Sequence, residues 1–408
     1  MKKAFCLILV CLMAIVSLSA FAETHVEFWN DKMTNTDASI LESLVNAFSA
    51  DSGLDVEIIS YPDVAAYQTA IQQSISGSSA PAMFTWWNGY QLETLAKNDL
   101  LLDLTEEWKN YYVPSGVSAD VADSLSYDGK IYAAPYAVLN NTVIYNKRAF
   151  EKAGCTVPTT FDEFLANCDK LLAAGITPIA LKNDSWAGFI WFQQLLAVYD
   201  VDLYFGVCDG SIAYTDERIV EVMNAWKDMF DKGYFAAPIG SADTAKAFAR
   251  DEVAMVLEPP IYIPTLVNEY GMVSGEDFDA MVVPNFEGKD NVMFFEVSPL
   301  CIPKATADIE AAKLAVRTFL GANVQTIMAN DTGMPASTSG DIQDVTTRNM
   351  NAFGDDDNVR LVLRYYESTP AELRDVALDE LAKFIYSGAP VDEILSAIQV
   401  KADEVFAK

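Results

Sequence analysis

Aromatic side chains stand next to amides and carboxylates at three points in the first part of the chain. The residues concerned are Trp29-Asn30-Asp31, Tyr61 and Trp86-Trp87-Asn88. A sugar ring presents apolar C–H faces that pack on aromatic rings, and its hydroxyls form hydrogen bonds with amides and carboxylates. Bonds to a carboxylate are charge-assisted and stronger, which helps to offset the desolvation of a well-hydrated ligand. These residue types therefore predict a carbohydrate-binding site.

Two later strands are also predicted to end in polar residues. The strand Ile176–Leu181 is followed by Lys182-Asn183-Asp184 with Trp186 close behind, and Glu252–Leu257 is followed by Glu258. Each residue, taken alone, has an equally good structural role, because tryptophan packs in cores and Asn or Asp caps helices. Several strands with the same kind of ending favour ligand contact over these separate structural roles.

Alternating strands and helices would bring the first set of strand ends together. Strands are predicted at 24–29, 54–60 and 82–86, with helices over 40–48 and 65–76 between them. Short connections in such an alternation indicate a parallel, doubly wound sheet. Ligands bind beyond the carboxyl ends of the strands in sheets of this kind.

A second alternating segment begins with a predicted strand at 142–145, and its first long helix opens with the capping box Thr160-Phe161-Asp162-Glu163. Strands near 278–283 and 293–302 indicate a return to the first lobe. The rest of the chain is predicted to be helical, at 309–320, 360–366, 371–386 and 391–406. Since no flexible linker separates the two segments, we expect two lobes joined by several crossings.

The composition excludes several classes of protein. A hydrophobic content of 51%, with 12% aromatic residues, excludes a disordered chain. The net charge of −31 would repel nucleic acid and anionic lipid headgroups. It also makes a strongly anionic ligand less favourable, although a local basic pocket could override the average.

His25 is the only histidine of the chain. Ser-His-Asp triads, Cys-His pairs and histidine-based zinc sites are therefore not expected within one chain. We accordingly predict no catalytic residues, no cofactor and no metal.

Four cysteines follow the N-terminal segment: Cys155, Cys168, Cys208 and Cys301. They lack CxxC or zinc-finger spacing, and Cys168 shares a helical face with apolar residues, so buried thiols are expected. A disulfide between Cys155 and Cys168 remains the alternative, because an exported protein can form one.

The N-terminus has the pattern of a secretory signal peptide. Lys2 and Lys3 precede an apolar run over 4–18, and Ala20-Phe21-Ala22 offers a small-x-small cleavage site. Residues 1–22 are therefore expected to be removed, which predicts an exported, periplasmic protein that is soluble after cleavage.

Several motifs resemble those of extracellular solute-binding protein family 1, the carbohydrate receptors of ABC importers. The motifs occur in the expected order across most of the chain: Tyr127-Asp128-Gly129-Lys130-Ile131-Tyr132-Ala133-Ala134-Pro135-Tyr136, Val143-Ile144-Tyr145-Asn146-Lys147, Phe150-Glu151-Lys152-Ala153-Gly154, Phe248-Ala249-Arg250-Asp251-Glu252-Val253-Ala254-Met255 and Thr332-Gly333-Met334-Pro335-Ala336. The resemblance implies a monomeric receptor that passes a sugar or oligosaccharide to membrane permease subunits.

The same resemblance implies a type II periplasmic-binding-protein fold. In this α/β fold each of two lobes is a doubly wound sheet flanked by helices, and hinge crossings join the lobes. With crossings near Pro135, Pro284 and Gly333, the N-terminal lobe would comprise 23–136 plus 284–333. The C-terminal lobe would comprise 137–283 plus 334–408.

The positions that match ligand-binding residues of the family lie in both predicted lobes. They are Trp29 to Asp31, Trp86 to Asn88, Tyr136, Asn140, Trp186, Glu258 and Glu296. One departure concerns Phe295-Glu296-Val297-Ser298, where many relatives carry glycines. This segment predicts a narrower and more acidic pocket floor, and it leaves the identity of the ligand open.

Two alternative functions remain open from the sequence. A secreted glycoside hydrolase would use two carboxyl groups about 5–10 Å apart, with Asp31 and Glu258 as candidates. An importer receptor for a cation such as a polyamine would use the same acidic residues as counter-charges.

The export prediction has a direct test. We expect the secreted protein to begin at Glu23 and to carry no lipid, because Val10 before Cys11 is not the small residue that lipid attachment requires. N-terminal sequencing and intact mass determination check this expectation, and a lipid-modified Cys11 would contradict it.

Overall fold

The computed structural model describes residues 24–407 with the exception of 35, 120, 184–185, 287 and 338–339. The predicted signal peptide at 1–22 lies outside the described residues. Within the described part of the chain, no helix is both long and apolar enough to span a membrane.

The strands of the described residues form two main sheets and one small hairpin. In chain order they are β1 Thr24–Asn30, β2 Leu54–Ser60, β3 Met83–Thr85, β4 Ser126–Tyr127, β5 Lys130–Ile131, β6 Ala133–Asn140, β7 Thr142–Asn146, β8 Thr177–Ile179, β9 Val253–Glu258, β10 Phe278–Met281, β11 Asn291–Cys301 and β12 Val359–Leu363.

The helices cover the faces of these sheets. In chain order they are α1 Ala38–Ser52, α2 Val64–Ser74, α3 Tyr90–Lys97, α4 Thr105–Glu107, α5 Val121–Ser124, α6 Lys147–Ala153, α7 Phe161–Ala173, α8 Trp186–Asp209, α9 Glu217–Asp231, α10 Ser241–Ala249, α11 Ile309–Phe319, α12 Ala322–Asp331, α13 Val345–Ala352, α14 Tyr365–Ser368, α15 Ala371–Ser387 and α16 Val391–Phe406.

The first sheet has the strand order β12-β11-β3-β1-β2, with β6 pairing to β11. β1 pairs in parallel with both β2 and β3, so the carboxyl ends of these three strands lie at one edge. Phe28, Phe84, Trp108, Tyr136 and Phe319 belong to the hydrophobic core of this sheet and its helices. We refer to β1, β2 and β3 with this core as the first lobe.

The second sheet has the strand order β10-β7-β9-β8. β8 and β9 are parallel, while β7 runs antiparallel to both β9 and β10. One face packs against α7, α8 and α9 around Phe164 and Trp226, and the other face packs around Phe248 and Val256. Apolar side chains thus cover both faces, as in a layered α/β unit, and we call this unit the second lobe.

β6 and β11, the crossing strands, join the two lobes. Val292 and Phe294 at the start of β11 belong to the core of the second lobe, whereas Val297 and Leu300 near its end belong to the core of the first. β11 pairs antiparallel with β6 over residues 295–301. The predicted lobe boundaries at 136, 284 and 333 stay predictions.

Local sequence signals account for several of these elements. The Oγ1 atom of Thr160 accepts a hydrogen bond from the backbone N–H of Glu163 at 3.2 Å, which caps α7 as the capping box predicts. The predicted helix at 360–366 is wrong. Residues Val359–Leu363 alternate in burial and pair in parallel with β11, since the first half of β11 offers an edge that a further strand can join.

The four cysteines of the described residues are free thiols. Cys168, Cys208 and Cys301 are buried, and only Cys155 is partly exposed. Burial raises the pKa of the Cys208 thiol to about 12 and raises the pKa values of Cys168 and Cys301 as well. These three cysteines therefore behave as small apolar side chains.

Thiol titration tests this assignment. In protein that begins at Glu23, we expect four reactive thiols after denaturation without reductant, and one fast-reacting thiol in the native state. Cys155→Ser should remove the fast phase, because a thiolate must form and reach solvent to react. Two missing thiols in the denatured protein would instead indicate a Cys155–Cys168 disulfide.

Candidate ligand-binding site

A cleft with a volume of about 490 Å³ lies between the two lobes. Its walls come from the residues after β1, from the crossing strands, and from the ends of β8 and β9. The side chains used below are Asp31, Lys32, Tyr136, Lys182, Trp191, Glu258, Glu296, Ser298 and Arg364. The volume falls within the range typical of small-molecule sites. We refer to this feature as the interlobe cleft.

The strand alternation of the crossing strands decides which of their side chains reach the cleft. Leu139, Glu296 and Ser298 line the interlobe cleft, whereas Asn140 and Phe295 line a second cavity of about 310 Å³. Successive side chains of a strand point to opposite faces, so the second cavity lies on the reverse side of the crossing strands.

Asp31 and Lys32 form the first charged pair of the cleft. The Nζ atom of Lys32 lies 3.2 Å from a carboxylate oxygen of Asp31, and the Thr85 hydroxyl donates to the other oxygen at 2.8 Å. Lys32 Nζ also lies 5.3 Å from the ring centre of Trp87, within the range of a cation–π contact. The first lobe thus offers an oriented carboxylate and an ammonium group side by side.

Lys182 and Glu258 form the second pair, on the side of the second lobe. Lys182 follows β8 and Glu258 ends β9, so the parallel pairing of these strands brings the two side chains into an ion pair. Lys182 Nζ also lies 5.3 Å from the ring centre of Tyr262. The arrangement repeats the pattern of carboxylate, ammonium and aromatic ring found around Asp31.

Arg364 is the centre of a buried triad behind the cleft. Its guanidinium lies 2.8 Å from Glu296 and donates two hydrogen bonds to Glu367, at 2.6 and 3.1 Å. Burial acts to raise the pKa of Glu296, but the charges of Arg364 and Lys32 outweigh it and leave that pKa below the ordinary value of 4.5. Glu296 is therefore an ionised acceptor at neutral pH, and the Ser298 hydroxyl donates to it at 3.1 Å.

The charges that line the cleft balance one another. Among the described lining residues, Asp31, Glu258 and Glu296 are acidic, and each is paired with Lys32, Lys182 or Arg364. Arg364 also pairs with Glu367 behind the cleft, so the site has about one excess negative charge and no large local charge, although the chain as a whole is strongly acidic. Each pair presents both donors and acceptors to a polar ligand.

Four of the residues predicted from sequence line the cleft, namely Asp31, Tyr136, Glu258 and Glu296. Asn30 is buried beside them, and its Oδ1 atom accepts from the backbone N–H groups of Lys32 and Met33 at 3.2 and 2.8 Å. Asn30 thereby holds the turn that presents Asp31. These hydrogen bonds give Asn30 a structural role, which is one of the two roles that the sequence left open for it.

The predicted aromatic residues of the first lobe form a connected row beside the cleft. Trp29 packs on Tyr61 with ring centres 5.6 Å apart, and Tyr67 bridges Tyr61 to Trp87 at 5.3 and 6.0 Å. Trp86 belongs to the core and is 5% exposed. Trp87 is half-buried and contacts the cleft through Lys32.

Two further predicted residues, Asn88 and Asn140, lie away from the lining. Asn88 is buried, and its Oδ1 accepts from the Gly89 N–H at 2.7 Å. Asn140 lines the second cavity and donates to the Met350 carbonyl at 3.4 Å. Trp186 is the first residue of α8, and its side chain lies outside the described part of the structure.

Two cationic residues and one aromatic residue of the cleft were not predicted from the sequence, namely Lys32, Arg364 and Trp191. Lys182 was noted at the end of its strand but was not placed among the ligand-binding residues. Lys32 also stands at a strand end, so its position was a usable signal. Arg364 gave no such signal, because its segment was predicted to be helical. Trp191 is 3% exposed and lines the cleft from within α8.

Two glycines allow close contacts between backbone segments beside the cleft. A Cβ atom on Gly89, whose φ is +64°, would lie 2.1 Å from the carbonyl oxygen of Glu367. A Cβ atom on Gly333, whose φ is +67°, would lie 2.8 Å from Cα of Ile261. Both contacts require a residue without a side chain.

Comparison with known proteins identifies the family. The sequence model of the bacterial extracellular solute-binding proteins matches residues 43–350. The chain belongs to this family. The resemblance found in the sequence motifs is thereby confirmed.

Curated relatives of this solute-binding protein include receptors named for sugars. A "probable sugar-binding periplasmic protein" of Mesorhizobium japonicum is 33% identical over 132 residues, which cover 32% of this chain and 31% of the relative. The "alpha-glucosides-binding periplasmic protein AglE" of Rhizobium meliloti is 25% identical over 62% of this chain and 59% of the relative. The matches thus span about a third to three fifths of the relatives' lengths.

Solved structures confirm the fold of this solute-binding protein. A chitin oligosaccharide binding protein superposes with a TM-score of 0.78 at 18% identity, covering 95% of this chain and all of the other. The bacterial solute receptor AcbH superposes with a TM-score of 0.75 at 18% identity, covering 94% and 100%. The predicted α/β architecture with two lobes is therefore confirmed.

The buried triad leads to a stability prediction. Arg364→Met should lower the free energy of unfolding by about 3–5 kcal/mol, because Glu296 and Glu367 would be left buried without their shared counter-charge. Arg360→Met provides the matched control, since Arg360 lies exposed on β12; its loss removes only a cation–π contact with Phe205 and should cost at most about 1 kcal/mol. Denaturant unfolding of both variants measures the difference, and equal stabilities would contradict the role given to Arg364.

Proposed function

We propose that this solute-binding protein captures an uncharged sugar or short oligosaccharide between its lobes and delivers it to the permease of an ABC importer. The observation that carries the proposal is the balanced set of charges in the interlobe cleft. The names of the curated relatives, several of which are sugar-binding periplasmic proteins, support the same ligand class.

The paired charges suit hydroxyl groups for a simple reason. A hydroxyl both donates and accepts, so it can donate to Asp31 while a neighbouring hydroxyl accepts from Lys32. Glu258 and Lys182 offer the same combination on the opposite wall. A ligand with many hydroxyls would therefore satisfy groups of both lobes at once, and lobe closure would bury it.

The cationic alternative is less well supported. A polyamine needs carboxylates that have no cationic partner in the protein. The acidic residues of the cleft are already paired with Lys32, Lys182 and Arg364. A strongly anionic ligand meets the converse obstacle, because each cation already faces a carboxylate.

The hydrolase alternative finds no support in the family, whose members are binding proteins. Asp31 and Glu258 do lie in one cleft, but each is held in an ion pair that suits recognition of hydroxyls. We propose binding without turnover and without a metal or cofactor requirement for ligand capture.

Lobe movement would take place about the crossing strands. In the proposed division, 23–136 plus 284–333 move against 137–283 plus 334–408, and ligand selects the closed arrangement. We further propose that the protein acts as a monomer in the periplasm after removal of residues 1–22.

A ligand screen tests the function. We expect neutral saccharides of one to four units to raise the melting temperature, because a ligand that binds only the folded state stabilises it. Spermidine and glycerol 3-phosphate should give no comparable shift. A shift with spermidine alone would overturn the proposed ligand class, and recovery of a cleaved saccharide would overturn binding without turnover.

Variants of the first lobe then test the site with the saccharide found. Asp31→Asn should weaken binding about tenfold, or about 1.4 kcal/mol, because a charge-assisted bond becomes a neutral one. Trp87→Ala should weaken binding roughly thirtyfold if this ring anchors the ligand, whereas Trp86→Ala should mainly lower stability. Glu42→Gln on the exposed face of α1 is the control. Normal binding by all variants would exclude this site and leave the family role.

A further inference from the structure

Four side chains meet on one face of β1 and β2, away from the interlobe cleft. His25 lies directly opposite Asp55 in the parallel register, and Glu27 lies directly opposite Glu57. Because side chains two residues apart share a face of a strand, all four project to the same side of the sheet. The side chains of His25, Asp55 and Glu57 are about half exposed, at 49%, 60% and 59%.

The two ring nitrogens of His25 have different partners. Nδ1 lies 2.9 Å from a carboxylate oxygen of Asp55, and Nε2 lies 3.5 Å from an oxygen of Glu57. A carboxylate on one ring nitrogen fixes the tautomer and makes the other nitrogen a better ligand, which is the usual outer contact of a metal-binding histidine. When Nδ1 donates to Asp55, Nε2 is the nitrogen that can bind a metal ion, and it lies on the side of Glu57.

Glu27 is held by a contact of the same kind. The indole N–H of Trp29 donates to one carboxylate oxygen of Glu27 at 2.7 Å. One ligand atom each from His25, Glu27 and Glu57 lies within 4.8 Å of the others. His25 and Glu27, the two candidate ligands on β1, thus each have a hydrogen-bond partner that orients the side chain.

The negative charges of the cluster favour the binding of a cation. Like charges directly opposite one another on neighbouring strands are destabilising, and Glu27 faces Glu57 in this way. A divalent metal ion bound between these side chains would relieve the repulsion.

We propose, contrary to the sequence-based prediction of no metal, that His25, Glu27 and Glu57 form a surface site for one divalent transition-metal ion, with zinc as the best match. An imidazole ligand favours zinc, copper or nickel over calcium and magnesium, which prefer oxygen alone. Zinc–ligand bonds of about 2.1 Å would draw the three ligand atoms to roughly 3.4 Å from one another. The exposed side chains can rotate to that spacing, and water completes the coordination.

The single histidine makes the test specific. Protein that begins at Glu23 and carries no histidine tag is freed of metal with a chelator and titrated with zinc chloride in a calorimeter. We expect one zinc ion per chain and at least a tenfold weaker affinity in His25→Gln and in Glu57→Gln. Glu393→Gln, an exposed acidic position on α16, should bind zinc as the unaltered protein does.

A spectroscopic readout accompanies the titration. The ring-proton signals of His25, which are those of the only histidine in the chain, should shift in step with the first equivalent of zinc. Absence of zinc binding, or binding that His25→Gln and Glu57→Gln leave unchanged, would overturn the proposal. The outcome does not depend on which ligand occupies the cleft, so it is separate from the test of the proposed function.

Discussion

The antiparallel pairing of β6 with β11 is the interaction on which the rest of the molecule depends. Residues 133–140 and 295–301 share this pairing, and β11 contributes side chains to the cores of both lobes. The same two strands form the floor of the cleft on one face and the wall of the second cavity on the other. Any rotation between the lobes must therefore be absorbed by backbone that also carries Glu296 and Ser298, which couples the position of the lobes to the shape of the cleft.

The electrostatics of the cleft follow from this placement. Glu296 is partly buried on β11, with 19% of its side chain exposed, and would be costly there as an isolated charge. Arg364 offsets that cost from the end of β12, and Glu367 completes its hydrogen bonds. Replacing such a triad by apolar residues is often neutral for stability, so its presence here fits recognition better than folding. Two further ion pairs at the strand ends extend the same arrangement across both walls.

More of the fold than of the candidate site could be predicted from the sequence. Strand and helix periodicity predicts β1, β2 and α7 closely, because each is decided by burial of one face and by local caps. Asp31 and Glu258 could be predicted because parallel strands end at a common edge. Arg364 could not, since its position depends on the pairing of β12 with β11 across more than sixty residues of chain, and a short apolar alternation is compatible with a helix as well.

Two glycines beside the cleft let backbone lie directly on backbone. With hydrogen in place of a side chain, Gly89 lets the loop after β3 rest on the main chain at Glu367, and Gly333 does the same at Ile261. Main chain cannot turn aside as a side-chain rotamer can, so neither contact has room for an added atom. A substitution at either position would separate two backbone segments, and its cost would fall on main-chain geometry beside the cleft rather than on the packing of either core.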